Sequence, residues 1–246
     1  MGNASPRLRD RDSVQITRSW EGLEPGSPIV SLSEGGREEL AWREIESGSA
    51  VWWGGDRPGV DSWSPAPCCA ATRSEGLQQT GKGHFQARPE ILGKTYLRAF
   101  AHEGATYALA MPGQLYRSKD GLGGFERGPR LLNPKMPHAA LLKRGETLYV
   151  FWTQVGDAPE HILLSTIDLS GPWEDWSESE AVEVLRPERP WEGSDDPLEP
   201  SIRSVAYGNV NQLRDPAIFQ DNGRSYLLYA VAGESGIAIA ELHFAP

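Results

Sequence analysis

From residue 84 onward, apolar residues return at alternate positions in short segments, and polar or glycine-containing breaks separate the segments. A period of two marks a half-buried strand, whereas a helix would repeat its apolar face every three or four residues. Three stretches share one layout: Ala99 to Met111 (AFAHEGATYALAM), Ala140 to Trp152 (ALLKRGETLYVFW) and Ala217 to Ala230 (AIFQDNGRSYLLYA). Each reads as a strand, a polar turn with a glycine, and an aromatic-rich strand, so each predicts a β-hairpin. Gly104, Gly145 and Gly223 supply the turn position where the backbone needs φ > 0, most plainly in Asp221-Asn222-Gly223. Third strands are predicted at Gln114 to Ser118, Ile162 to Asp168 and Ile237 to Leu242, with no fourth strand after the last.

The units repeat. Phe85, Pro89 and the pair Ile91-Leu92 recur as Phe125, Pro129 and Leu131-Leu132, at a spacing of 40. Arg73-Ser74-Glu75-Gly76-Leu77 is echoed by Arg117-Ser118-Lys119-Asp120-Gly121-Leu122 at a spacing of 44 to 45. A four-stranded unit with a period near 40 is a propeller blade. The expected fold class is therefore all-β, a β-propeller with three clear blades over residues 93–246. A diverged or non-native blade is expected over residues 36–92, with strands at Leu40 to Ile45, Ser49 to Trp53, Cys68 to Ser74 and His84 to Leu92. Residues 1–35 are polar, broken by Gly and Pro and without sustained period, and read as a flexible lead-in.

Composition changes abruptly near residue 84. All seven Tyr lie at or after Tyr96 and all six Phe at or after Phe85, whereas both Cys and five of nine Trp lie at or before Cys69. A shifted reading frame upstream of a native propeller would produce the same break. The 24 Lys+Arg against 34 Asp+Glu give a net charge of −10, the wrong sign for collecting phosphates, so no nucleic-acid partner is expected. No run approaches the roughly 18 apolar residues of a membrane span, and MGNASPRLRDRD is charged where a secretory signal is apolar. The expectation is a cytoplasmic protein without a membrane partner. Cys68 and Cys69, as neighbours, form no zinc-ligand pattern, no phosphate-binding glycine loop occurs, and His84, His102 and His161 lack ligand spacing. Neither metal nor cofactor is expected.

Arg214-Asp215-Pro216-Ala217-Ile218-Phe219, running into Asp221-Asn222-Gly223 and Tyr226-Leu227-Leu228-Tyr229, resembles blades of the five-bladed β-propeller glycosidases, nearest to glycoside hydrolase family 43. Ser165 to Trp173 resembles the outer part of such a blade, and the likeness covers roughly residues 84–246. The resemblance implies a carbohydrate ligand and a central pocket with an Asp base, a Glu acid and a further Asp. Family 43 enzymes invert, with acid and base roughly 6.5 to 9.5 Å apart. The motif lies in the last blade here, whereas the family places its base Asp in the first. The ring is expected to be incomplete, and open blade edges predict self-association.

Residues a similar distance ahead of each turn glycine should converge at the central axis. Arg98 stands six before Gly104, His138 seven before Gly145 and Asp215 eight before Gly223. A cation, an imidazole and a carboxylate around one opening suit a sugar or an anionic ligand; the alternative is that Arg98 and Asp215 pair to satisfy strand ends. Asp215 is the candidate base, with Arg214 beside it as a substrate contact. The Pro- and acid-rich link Arg186 to Val210 offers Glu199 as general acid and Trp191 as a stacking platform, against a solvated loop in which Trp191 caps an apolar edge. Trp173 and Trp176 read as blade-edge packing, and Ser118-Lys119-Asp120-Gly121 as an ordinary turn. The competing function is a non-catalytic sugar-binding or structural propeller fragment.

Overall fold

The computed structural model describes residues 14–18, 74–81 and 84–244. In chain order the strands are β1 (Val14–Arg18), β2 (Ser74–Gly81), β3 (His84–Gly93), β4 (Arg98–His102), β5 (Ala105–Ala110), β6 (Gln114–Ser118) and β7 (Glu126–Arg130). There follow β8 (Ala139–Arg144), β9 (Thr147–Trp152), β10 (Ile162–Asp168), β11 (Val182–Leu185), β12 (Arg214–Asp221), β13 (Arg224–Val231) and β14 (Gly236–Phe244). They form three four-stranded antiparallel blades, β4-β5-β6-β7, β8-β9-β10-β11 and β12-β13-β14-β1, and a separate pair, β2-β3. The fold is an all-β propeller, and the three hairpins and three third strands lie where the alternation puts them.

Turn chemistry sets the hairpins. His102 pairs with Ala105 and Asp221 with Arg224, leaving two-residue turns. Both turn positions have positive φ, at Glu103 (45°) and Gly104 (74°) and again at Asn222 (48°) and Gly223 (76°). That is the left-handed geometry that matches the twist of the flanking strands.

Alternation along β9 explains the core. Leu148, Val150 and Trp152 point into the cluster shared with the first blade, alongside Phe100, Tyr107 and Leu109. Tyr149 and Phe151 point the other way, into the cluster shared with Leu227 and Tyr229 of the third blade. The middle blade is thus apolar on both faces because it is covered on both. Trp173 and Trp176 are buried in the first of these clusters, as blade packing requires. Trp173 lies so close to Gly128 of β7 that a Cβ there would overlap its ring. His102 is buried beside them and, facing the Leu169 carbonyl at 3.2 Å, donates from Nε2 across the blade boundary.

Two expectations change. The lead-in reading of residues 1–35 fails at Val14–Arg18, which form β1, the outermost strand of the last blade, in register from Val14 opposite Phe244 to Arg18 opposite Ala240. Val14 and Ile16 lean on the same apolar cluster as Leu242. The last blade therefore has its fourth strand, supplied from the other end of the chain, and the edge of β14 is covered. In the 36–92 segment, β3 matches the expected His84 to Leu92 strand, and its partner is Ser74–Gly81, not a strand ending at Ser74. The expected strands at Leu40 to Ile45 and Ser49 to Trp53 lie outside the described residues.

Candidate functional site

The innermost strands β4, β8 and β12 adjoin in that order, so residues at their starting ends share one end of the propeller. Antiparallel hairpins of similar length bring residues at similar distances before each turn to the same level. Arg98 opens β4, His138 immediately precedes β8, and Asp215 is the second residue of β12.

The backbone of β12 is arranged to aim Asp215. Arg214 pairs with Ala230 and Ala217 with Leu228, so β12 carries one extra residue, a β-bulge. Asp215 sits in it with φ 49°, a left-handed conformation that Asp tolerates better than most residues yet still at a cost. Pro216 follows and has no N–H to leave unpaired in the interrupted ladder. The result is a direct contact between Asp215 Oδ1 and His138 Nδ1. Tyr96, also at positive φ (55°), meets the His138 ring edge-on with centroids 4.2 Å apart. Two strained residues thus converge on one imidazole.

The site's electrostatics follow from burial and from its arginines. Burial, then the guanidiniums of Arg214, Arg98 and Arg203, push His138 down to about 3. The Asp215 carboxylate acts in the opposite direction, but the ring is buried and faces three cations against one anion, so it is neutral at pH 7. A neutral ring against a carboxylate donates at Nδ1, which leaves Nε2 as an acceptor. His138 and Asp215 are 16% and 21% exposed, enough for a ligand to reach them. Arg98 is lowered by its burial, with the Tyr96 phenol opposing. Its Nε has no hydrogen-bond partner among the described residues.

Arg214, expected to contact substrate, turns inward instead. It is 3% exposed. Its Nε lies 3.1 Å from Glu160 Oε2 as an ion pair without hydrogen-bond alignment. Its Nη1 donates to Glu234 at 2.6 Å and its Nη2 to the Ile202 carbonyl at 3.0 Å. Arg214 is still in the ladder, opposite Ala230, with its side chain on the buried side, and the bulge that begins after it turns Asp215 the other way. Glu160 is fully buried, and burial raises its pKa against the opposing Arg214 charge and the Thr153 and Ser201 hydroxyls.

The link between the second and third blades departs further from expectation. Glu199 is exposed, and the hydrogen bond that anchors it runs from Gln212 Nε2 to its backbone carbonyl at 3.2 Å. Trp191 packs half-buried on the cluster between the second and third blades, where it caps an apolar edge. The buried acid of this link is Glu192, which accepts from the Tyr229 hydroxyl at 3.1 Å and from the backbone N–H groups of Glu188 and Arg189. The sequence reading passed over Tyr96, Arg203 and Glu160. Their only sequence signal is position: Tyr96 lies just ahead of Arg98, and Glu160 closes a loop before β10.

The Ser118 to Gly121 turn is held by its own side chains. Asp120 Oδ1 accepts from the Leu122 and Gly123 N–H groups at 2.8 and 3.3 Å, and these bonds lower its pKa. This is the ordinary turn expected.

No family model matches the chain. Uncharacterized protein R118 of Acanthamoeba polyphaga mimivirus is 40% identical over 167 residues, which is 61% of this chain and 47% of R118. The chain thus spans about half the length of that relative. Among solved structures, the chain is similar to an alpha-L-arabinofuranosidase from Lactobacillus brevis, with 14% identity, 66% of this chain and 57% of that one covered, and a TM-score of 0.44. It is also similar to the phage phi92 endosialidase, with 12% identity, coverage of 67% and 30%, and a TM-score of 0.38. Membership of glycoside hydrolase family 43, which the sequence likeness suggested, is not shown, and the propeller-like fold rests on the three four-stranded blades themselves.

Proposed function

We propose that this chain is a glycan-binding propeller whose site is the His138–Asp215 pair at the starting ends of the inner strands. The observation that carries the reading is the contact between these two side chains, made from separate blades and across a bulged, left-handed backbone at Asp215. Strain held in place by surrounding structure is characteristic of sites with a function. The polar groups suit a polyol: Asp215 accepts, His138 Nε2 accepts, the Arg98 guanidinium donates, and the Tyr96 ring supplies an apolar edge. The likeness of Arg214 to Tyr229 to glycosidase blades supports the choice of sugars over other polar ligands.

Binding is favoured over hydrolysis. An inverting glycosidase needs a second carboxylate roughly 6.5 to 9.5 Å from the first, with room for a water between them. Glu160 is committed to the buried pair with Arg214, and Glu199 lies exposed on the link, held through its backbone carbonyl and not its side chain, which supports the binding reading. A glycan array probed with the full chain tests the reading, with Asp215→Asn as control. Binding that Asp215→Asn abolishes is expected. Equal binding by the variant, or release of reducing sugar by the unaltered chain, refutes the site or its non-catalytic character respectively.

A further inference from the structure

Among the described arginines that no carboxylate holds, Arg98 is set apart by burial: Arg127, Arg130, Arg144 and Arg189 lie exposed. Arg214 lies against Glu160 and Glu234, Arg117 against Glu126, Arg186 against Glu183 and Arg224 against Glu241. No such carboxylate contact holds Arg98 among the described residues, its Nε is buried without an acceptor, and the ionisable group acting on it is the Tyr96 phenol. A chain with net charge −10 has acidic side chains to spare for this guanidinium. Burying a cation without a counter-charge is costly, and the cost is removed when an anion arrives. The nearby carboxylate, Asp215, is engaged by His138. Arg203, from the exposed link, adds a second positive charge on the His138 side.

We propose that the glycan bound at this site is acidic, and that Arg98 receives its carboxylate or sulfate group while Asp215 and His138 take hydroxyls. The inference rests on the glycan reading and narrows it to a ligand class. Guanidinium matches the paired oxygens of either anion through two parallel N–H donors, and in a part-buried position the attraction is poorly screened.

The test is an array of acidic glycans, each beside its neutral counterpart: uronates against their methyl esters, sulfated sugars against desulfated ones. Calorimetry on the full chain with the best pair then follows. The acidic member should bind about tenfold or more tightly than its neutral counterpart, as for a hydrogen bond to a charged group. Arg98→Gln should weaken the acidic member far more than its neutral counterpart and so bring the two to about equal affinity. Whether uronates or sulfated sugars lead the array assigns the anion. Equal affinity for acid and ester in the unaltered chain overturns the inference and leaves the glycan reading standing, whatever Arg98→Gln does to folding. A preference that survives in Arg98→Gln overturns the role of Arg98. Inorganic phosphate binding as tightly as the best acidic glycan overturns it too. A blank array overturns both readings.

Discussion

Replacing Arg214 by Met tests whether this residue is a buried counter-charge, as its contacts indicate, or part of the ligand site. Met keeps much of the side-chain volume and removes the charge. Glu160, 0% exposed, then has two options on folding: remain ionised without its ion pair, or take up a proton. Protonation is the cheaper course. For a glutamate whose ordinary value is 4.5, it costs up to about 3.4 kcal/mol at pH 7 and about 0.8 kcal/mol at pH 5. The hydrogen bonds to Glu234 and the Ile202 carbonyl add a part that does not titrate in this range, on the order of 1 to 2 kcal/mol. Because the folded-state pKa of Glu160 is raised, the folded protein binds the proton more tightly than the unfolded chain, so acidification favours the folded state. The destabilisation by Arg214→Met should therefore shrink between pH 7 and pH 5, by up to about 2.6 kcal/mol. Urea unfolding of both proteins at the two pH values measures this directly. Adding Glu160→Gln, which needs no proton, should recover most of the loss at pH 7. A penalty equal at both pH values, or no recovery in the double variant, would refute the counter-charge reading.

Asn tolerates the left-handed backbone at Asp215 as Asp does, so Asp215→Asn should lose glycan binding with a shift in melting temperature of no more than a few degrees; a large fall with binding retained would make Asp215 a structural residue. Gly128→Ala drives a methyl into the Trp173 ring and should cost about 1 to 3 kcal/mol, read by chemical denaturation; a neutral outcome would mean the two blades separate more easily than their packing implies. Removing residues 1–18 uncovers the edge of β14 and should lower the melting temperature and promote association between copies, seen in sedimentation. A truncated chain that stays monomeric and equally stable would show that β1 contributes nothing to the blade.

What could be read from the sequence was what repeats or what is local. Gly104, Gly145 and Gly223 fixed the hairpins because a two-residue turn with positive φ dictates the register of both flanking strands. For the same reason, counting back from them located Arg98, His138 and Asp215 at one level. The roles of Glu199 and Trp191 were not legible because the link from Arg186 to Val210 has no ladder, and without a ladder nothing in residue order says which way a side chain turns. Arg214 was misjudged by adjacency to Asp215, because the bulge that separates the direction of the two side chains leaves no mark in residue order. β1 was missed for a third reason. Val14-Gln15-Ile16-Thr17-Arg18 does alternate, but five residues amid polar chain are a weak signal, and what makes them a strand is Phe244 to Ala240 at the far end. The positive φ of Tyr96 and Asp215 left no trace in residue type alone.

The pairing of β1 with β14 also bears on how the protein is made. Of the strands described, β1 leaves the ribosome first, while the one it bonds to leaves last. At about 5 to 20 residues per second, the wait between them is roughly ten to fifty seconds. The first two blades have all their strands in sequence and are free to assemble as they emerge, but the third is completed only when Phe244 has been released. Throughout that interval Val14 and Ile16 have nothing to cover them, and a nascent chain is open there to chaperones, to proteases and to the unfinished edges of its neighbours on the same messenger.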